Sequence, residues 1–239
     1  FNLSDDGRLT DTQTTGEVSV QSPLTTGTAS GEYCVMWCGP DFPTDQRQDD
    51  ANSLCFDSEP LATPLSLLGA GELRMKVTSD KNCGQMIIRL CDVAPNGSSK
   101  RISYGVLNLA MREGLDSPQA VVAGEAVNVC IKFDETGYQI PTGHRLRLAV
   151  SSAYFPLLWP AAQEATLTLD LTSAFLTLPI HDRSTTLSRD LGQGYVCAVN
   201  ETKEISPEKH SRITQTDAAD GRVTTLIDDD FGEFTFVEH

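Results

Sequence analysis

Acid–base, nucleophilic or metal chemistry in this 239-residue chain must come from four histidines, seven cysteines and the serines and carboxylates around them. His144 stands out, beside Arg145 and shortly before Ser151 and Ser152 in PTGHRLRLAVSSAYFPLLWP, residues 141–160. A general base must lie within hydrogen-bond reach of its nucleophile. On an extended strand, residues seven or eight apart are separated by roughly 23–27 Å, so His144 cannot serve either serine. His144 and Arg145 read instead as the entry to a core strand, their polar heads bonded to neighbouring loop carbonyls. Leu146, Leu148 and Val150 would point inward, Arg145 and Arg147 outward.

Other chemistries fare no better. A serine hydrolase usually carries its nucleophile on a strained G-x-S-x-G turn, and GTASG at residues 27–31 has the wrong spacing. No H-E-x-x-H, phosphate-cradling loop or dinucleotide fingerprint occurs. Cys34 and Cys38 form a lone C-x3-C without a second pair at metal spacing. Asp228-Asp229-Asp230 lacks the alternating ligands of a calcium loop and reads as a solvated turn. No catalytic residue, metal or cofactor is expected of this chain.

The elements around these residues are strands. Period-2 alternation runs through LRMKVTS, QMIIRLCDV, RISYGVLNL, EAVNVCIKF, RLRLAVSS, ATLTLDL and AFLTLPI. Turn residues separate them at Asn96-Gly97, Glu135-Thr136-Gly137 and Thr142-Gly143. The pattern predicts an all-β chain, a sandwich or jelly roll of antiparallel strands. Residues 1–30 are polar and read as a lead-in lying over the surface, and residues 31–180 hold the alternating core. Residues 181–239 read as a polar link around NETKEISPEKHS, then a hairpin of RVTTLI and EFTFVEH that packs on the sandwich, since a lone hairpin is marginal in water.

Bulk properties narrow the setting. A formal net charge of −15 argues against a nucleic-acid or anionic-membrane partner. No apolar run approaches the roughly 20 residues that span a bilayer. The cysteine count is odd and the spacing irregular; Cys91 and Cys130 lie in apolar runs, as buried free thiols do. A reducing, cytoplasmic location is expected.

Several ordered motifs carry a resemblance. LRMKVTSDKNCGQMIIRLCDVAPNGSSKRISYGVLNLAMREG followed by GHRLRLAVSSAYFPLLWP is similar to the C-terminal β domain of the X-Pro dipeptidyl-peptidase and cocaine-esterase family. DQRQDDANSLCFDSEPL, residues 45–61, resembles that domain's opening motif. The resemblance implies a jelly-roll, galactose-binding-like β-sandwich with a C-terminal β extension. It also implies an α/β-hydrolase catalytic domain as partner in the same parent chain, since FNLSDDGRLT resembles the segment where family members leave that domain. The family's Ser, Asp and His have no counterparts here. In cocaine-esterase-like members an aromatic shortly before D-Q-R lines the acyl pocket, and Trp37, with Met36 beside it, is the nearest match. Phe42, Phe155 and Trp159 join them as pocket or domain-interface candidates, with Leu157 and Leu158 adding to the face. An uncovered face of this kind could also support self-association.

Two functions follow. One is a non-catalytic module that shapes the substrate pocket and stabilises the catalytic domain of a hydrolase acting on esters or X-Pro peptides. The other is an independent jelly-roll module binding carbohydrate or another ligand through exposed aromatics. With only two tryptophans, both inside the family motifs, the first is favoured.

Overall fold

The computed structural model describes residues 1–31, 42–182, 192–194 and 201–237. Met36 and Trp37 therefore lie outside the described residues, as do Cys34, Cys38, Cys197 and His239. The strands are β1 (Asn2–Leu3), β2 (Leu9–Thr10), β3 (Glu17–Val20), β4 (Leu54–Asp57), β5 (Leu65–Gly69), β6 (Glu72–Ser79), β7 (Gln85–Val93) and β8 (Ser99–Asn108). They continue with β9 (Ala126–Lys132), β10 (Thr136–Ile140), β11 (Arg145–Ser151), β12 (Leu167–Thr177), β13 (Thr202–Ser206), β14 (Lys209–Thr216), β15 (Val223–Asp230) and β16 (Glu233–Phe236). A single turn of helix, α1 (Arg47–Asp50), precedes β4.

Two antiparallel sheets make the sandwich. One has the order β2-β1-β12-β6-β9, with β3 also paired to β12, and the other the order β4-β11-β7-β8. β5 and β10 form a separate pair. Alternation fills the space between the sheets: Leu73, Met75 and Val77 of β6 and Leu167, Leu169 and Leu171 of β12 join Met86, Ile88 and Leu90 of β7 and Leu146, Leu148 and Val150 of β11 in one core. This is the all-β sandwich that the alternation predicts. The β7–β8 turn falls at Asn96-Gly97, where Gly97 has φ of 85°, a left-handed conformation that glycine adopts without Cβ cost.

Several expectations are corrected. ATLTLDL and AFLTLPI lie on one strand, β12, whose register shifts between Asp170 and Phe175. Thr136 and Gly137 belong to strand β10 rather than to a turn. The first thirty residues are not a surface lead-in: β1, β2 and β3 enter the larger sheet, and Leu3, Leu9 and Val20 are buried in its core. A few well-spaced apolar residues suffice there, because β12 supplies the hydrogen-bond ladder for β1 and β3, and β1 in turn for β2. Cys130 is exposed, because β9 is an edge strand whose alternation turns Val129 and Ile131 inward instead.

The described residues divide into two compact units, the sandwich and a second that holds residues 201–237. The second contains a long antiparallel ribbon. β14 pairs with β15 from Lys209↔Asp230 to Thr216↔Val223, and β13 pairs with β16. The segment read as a link is thus strand, RVTTLI pairs with a run that precedes it rather than with EFTFVEH, and Asp228-Asp229-Asp230 ends a strand rather than forming a turn. No helix among the described residues is long and apolar enough to cross a membrane.

His210 on the ribbon faces Asp229 at 3.1 Å and Glu208 at 3.5 Å. The hydrogen bond to Asp229 raises its pKa above the ordinary 6.5. A raised folded-state pKa adds stability that is fully present below the unfolded value and fades as pH rises through the folded one. The His210 ring should therefore titrate above 6.5 in an NMR pH series; titration at or below that value would show that the carboxylate pair does not form.

Candidate functional site

The D-Q-R segment folds into α1 and lies on the outer side of the β4-β11-β7-β8 sheet. β11 and β7 are central strands of that sheet, so their outward side chains are covered as well. The outward residues Arg89 and Arg147 meet the acids of α1 there. Arg89 is fully buried, lies 2.9 Å from Asp50 Oδ1, and donates to Gln46 Oε1 at 3.0 Å and to Ser53 Oγ at 2.8 Å. Asp50 Oδ1 receives no aligned hydrogen bond, so its contact with Arg89 Nη1 is an ionic one. Arg147 donates to Asp50 Oδ2 at 2.9 Å and grips Asp57 through two bonds of 2.7 Å. These bonds to Asp57 hold the guanidinium pKa far above its ordinary value.

The same helix ties down two loops. Asp49 accepts N–H bonds from Gly27 at 2.8 Å and Ala29 at 3.1 Å, yet burial outweighs them and raises its carboxyl pKa. Gln46 Nε2 donates to the Ala29 carbonyl at 2.6 Å, and the Thr44 N–H donates to the same carbonyl. Tyr154, in the loop after β11, donates its hydroxyl to Gln46 Oε1 at 2.5 Å and accepts from Arg101 Nη1 at 3.0 Å. Burial pushes the phenol up to about 12, so it stays a donor at neutral pH. Gly27 has φ of 113°, and a Cβ there would come within 2.4 Å of the Phe155 carbonyl oxygen. Only glycine lets the two loops approach this closely.

Residues 23–31, 42–46 and 152–160 are thereby laced into one loop layer. Apolar side chains point away from it: Trp159 is 78% exposed, Phe42 66% and Leu24 40%. Phe155 is half-buried and packs edge-on against Trp159 at 6.0 Å, while the Trp159 carbonyl accepts from Gln85 Nε2. The structure thus brings Phe155 and Trp159 together and carries Phe42 on the adjoining segment. This arrangement offers an apolar surface on a rigid base.

The family model of the X-Pro dipeptidyl-peptidase C-terminal non-catalytic domain matches residues 1–213. The chain belongs to this family. Cocaine esterase of Rhodococcus sp. (strain MB1 Bresler) is 32% identical over 120 residues, which cover 49% of this chain and 21% of that protein. The structure of an α-amino acid ester hydrolase matches with a TM-score of 0.64 at 19% identity, covering 75% of this chain and 36% of the other. An aminopeptidase from a marine sediment Thaumarchaeota archaeon matches with a TM-score of 0.62 at 18% identity, over 75% of this chain and 36% of the other. Both structural likenesses show the fold. The chain spans about a fifth of the cocaine esterase it matches and about a third of these two structures.

In this X-Pro dipeptidyl-peptidase C-terminal domain His144 takes a different partner from the one expected. Its Nδ1 lies 2.7 Å from Asp92 Oδ1, a carboxylate rather than a loop carbonyl, and Tyr138 donates to the other oxygen of Asp92 at 2.9 Å. Arg145 is exposed, as expected, whereas the Arg147 head is held over α1. Ser151 is fully buried, and Ser152 Oγ accepts the Ser22 N–H. His144 thus pins the start of β11 to the end of β7, a framework task for this domain. Sequence reasoning missed Arg89, Asp92, Gln46, Asp49, Asp50 and Tyr154. The available signal was the charge in QMIIRLCDV, where Arg89 and Asp92 interrupt an apolar strand and a buried charge demands a partner.

Proposed function

We propose that this domain completes the substrate pocket of an α/β-hydrolase catalytic domain in the same parent chain and stabilises that domain. The intact protein would hydrolyse esters or amides following proline, with the serine nucleophile, histidine and oxyanion hole all supplied by the catalytic domain. The observation that carries this reading is the loop layer. An exposed tryptophan packs edge-on with Phe155, in a loop layer that also exposes Phe42 and Leu24, on a base fixed by buried ion pairs. Rigid elements make good walls for pockets, and contacts between domains of one chain commonly bury about 600–1,500 Å². Met36 and Trp37, which fall in sequence between the first two segments of this layer, remain part of the proposed wall through the resemblance. The free thiols Cys55, Cys83, Cys91 and Cys130 support a cytoplasmic setting.

The isolated chain should show no turnover of p-nitrophenyl acetate or of an X-Pro-nitroanilide. Turnover abolished by His144→Ala in a preparation free of other esterases would overturn the non-catalytic assignment. In the full-length parent protein, Trp159→Ser should raise KM several-fold while leaving the unfolding midpoint of this domain in place. An unchanged KM and an unchanged midpoint for the catalytic domain would remove Trp159 from the wall.

A further inference from the structure

The ribbon of β13 to β16 has more apolar surface than a two-stranded element can cover. Leu226 is 60% exposed and Ile213 46%, and the two lie directly opposite on one face of the ribbon. Among the described residues, β14 and β15 hydrogen-bond only to each other, so each has an edge of backbone donors and acceptors that no described strand covers. Such edges template pairing with another strand unless proline, charge or a covering element blocks them. Pro207 stands just ahead of β14, whereas no proline occurs from Val223 to Phe236. The β15 edge is the less guarded of the two by proline, and its guard is the acidic run at Asp228, Asp229 and Asp230.

We infer that β15 pairs antiparallel with β15 of a second copy of this chain, about a two-fold axis at Leu226. A strand that meets its own copy at one residue is self-complementary. The register that sets Leu226 against itself then sets Asp230 opposite the partner's Arg222, and Arg222 opposite the partner's Asp230. Arg222 is free to answer: its guanidinium is 70% exposed and its contacts to Asp217 and Asp220 are long, at 3.7 and 4.0 Å. Asp228 falls opposite the partner's Thr224 and Asp229 opposite the partner's Val223, so no like charges meet. Opposite charges directly across strands support pairing, and like charges oppose it. Residues directly opposite share a face, so the four strands would carry one apolar row, with Leu226 of each copy meeting at the axis and Ile213 flanking it on either side. Three or more strands with an apolar face are what a ribbon needs for independent stability.

Light scattering coupled to size exclusion, over a range of concentrations, tests this with the chain as it stands. Wild-type protein should run as a dimer, and Leu226→Lys as a monomer. Arg222→Asp sets two acids against each other at both ends of the pairing, and Asp230→Lys sets two cations there. Each variant alone should be monomeric, but an equimolar mixture should give a heterodimer, because both of its end pairs are of opposite sign. Recovery in the mixture shows that both variants fold. A monomeric wild type overturns the proposal. So does a dimer that survives in all three variants, which would place the contact at β14 or on the sandwich. Open-ended polymers would also overturn it, since they report head-to-tail pairing without a two-fold axis.

Discussion

Replacing Arg89 with methionine should destabilise the sandwich by about 3–5 kcal/mol, the range seen when one partner of a buried ion pair is removed. Methionine keeps most of the side-chain length, so the loss reports charge and hydrogen bonds more than lost volume. Arg89 is fully buried among Asp50, Gln46 and Ser53. Without it, Asp49 and Asp50 sit buried against one cation fewer, with Arg147 alone still holding Asp50. That remaining grip favours the lower end of the range. Urea unfolding followed by far-ultraviolet circular dichroism measures the change. A loss under about 1 kcal/mol would place the guanidinium in water, since exposed ion pairs contribute that little.

Leu148→Ala should cost about 2–5 kcal/mol. Leu148 is 0% exposed at the middle of β11, with Phe56 opposite it on β4 and Leu90 opposite on β7. Both neighbours belong to paired strands, so the gap cannot close by a loop shift, and the upper half of that range is expected. The same unfolding experiment decides it. A change under about 1 kcal/mol would mean that β11 presents its other face to the core. Arg145→Ala, on the exposed start of the strand, is the control and should fall within about 0.5 kcal/mol of wild type.

The strands of the sandwich are legible in the sequence because their burial alternates. Leu73, Met75 and Val77 or Leu146, Leu148 and Val150 announce an inner face without any knowledge of what lies across from it. β7 is harder, since it is buried on both faces from Met86 to Val93 and reads as a continuous apolar run. The polar layer was not legible. Asp49 and Asp50 look like solvated charges beside Gln48, and the cations that answer them come from positions 89 and 147. His144 finds Asp92 from 52 residues away. The ribbon is hidden in the sequence for a related reason: its first strands, TKEIS and KHSRITQT, are strand only because later segments pair with them. Pairing partners distant in sequence leave no local signature, whereas burial on a strand does.

Asp50 divides its two oxygens between two arginines, Oδ1 towards Arg89 and Oδ2 towards Arg147. Residues that share a partner do not respond independently to substitution. A neutral residue at position 50 would leave Arg89 a buried cation without its ion pair, while Arg147 would keep Asp57, and a neutral residue at position 89 would lower the penalty for losing Asp50. A lineage that lost either Asp50 or Arg89 alone would pass through a much less stable intermediate, because each leaves the other buried without its opposite charge. Positions 50 and 89 should consequently vary together or not at all.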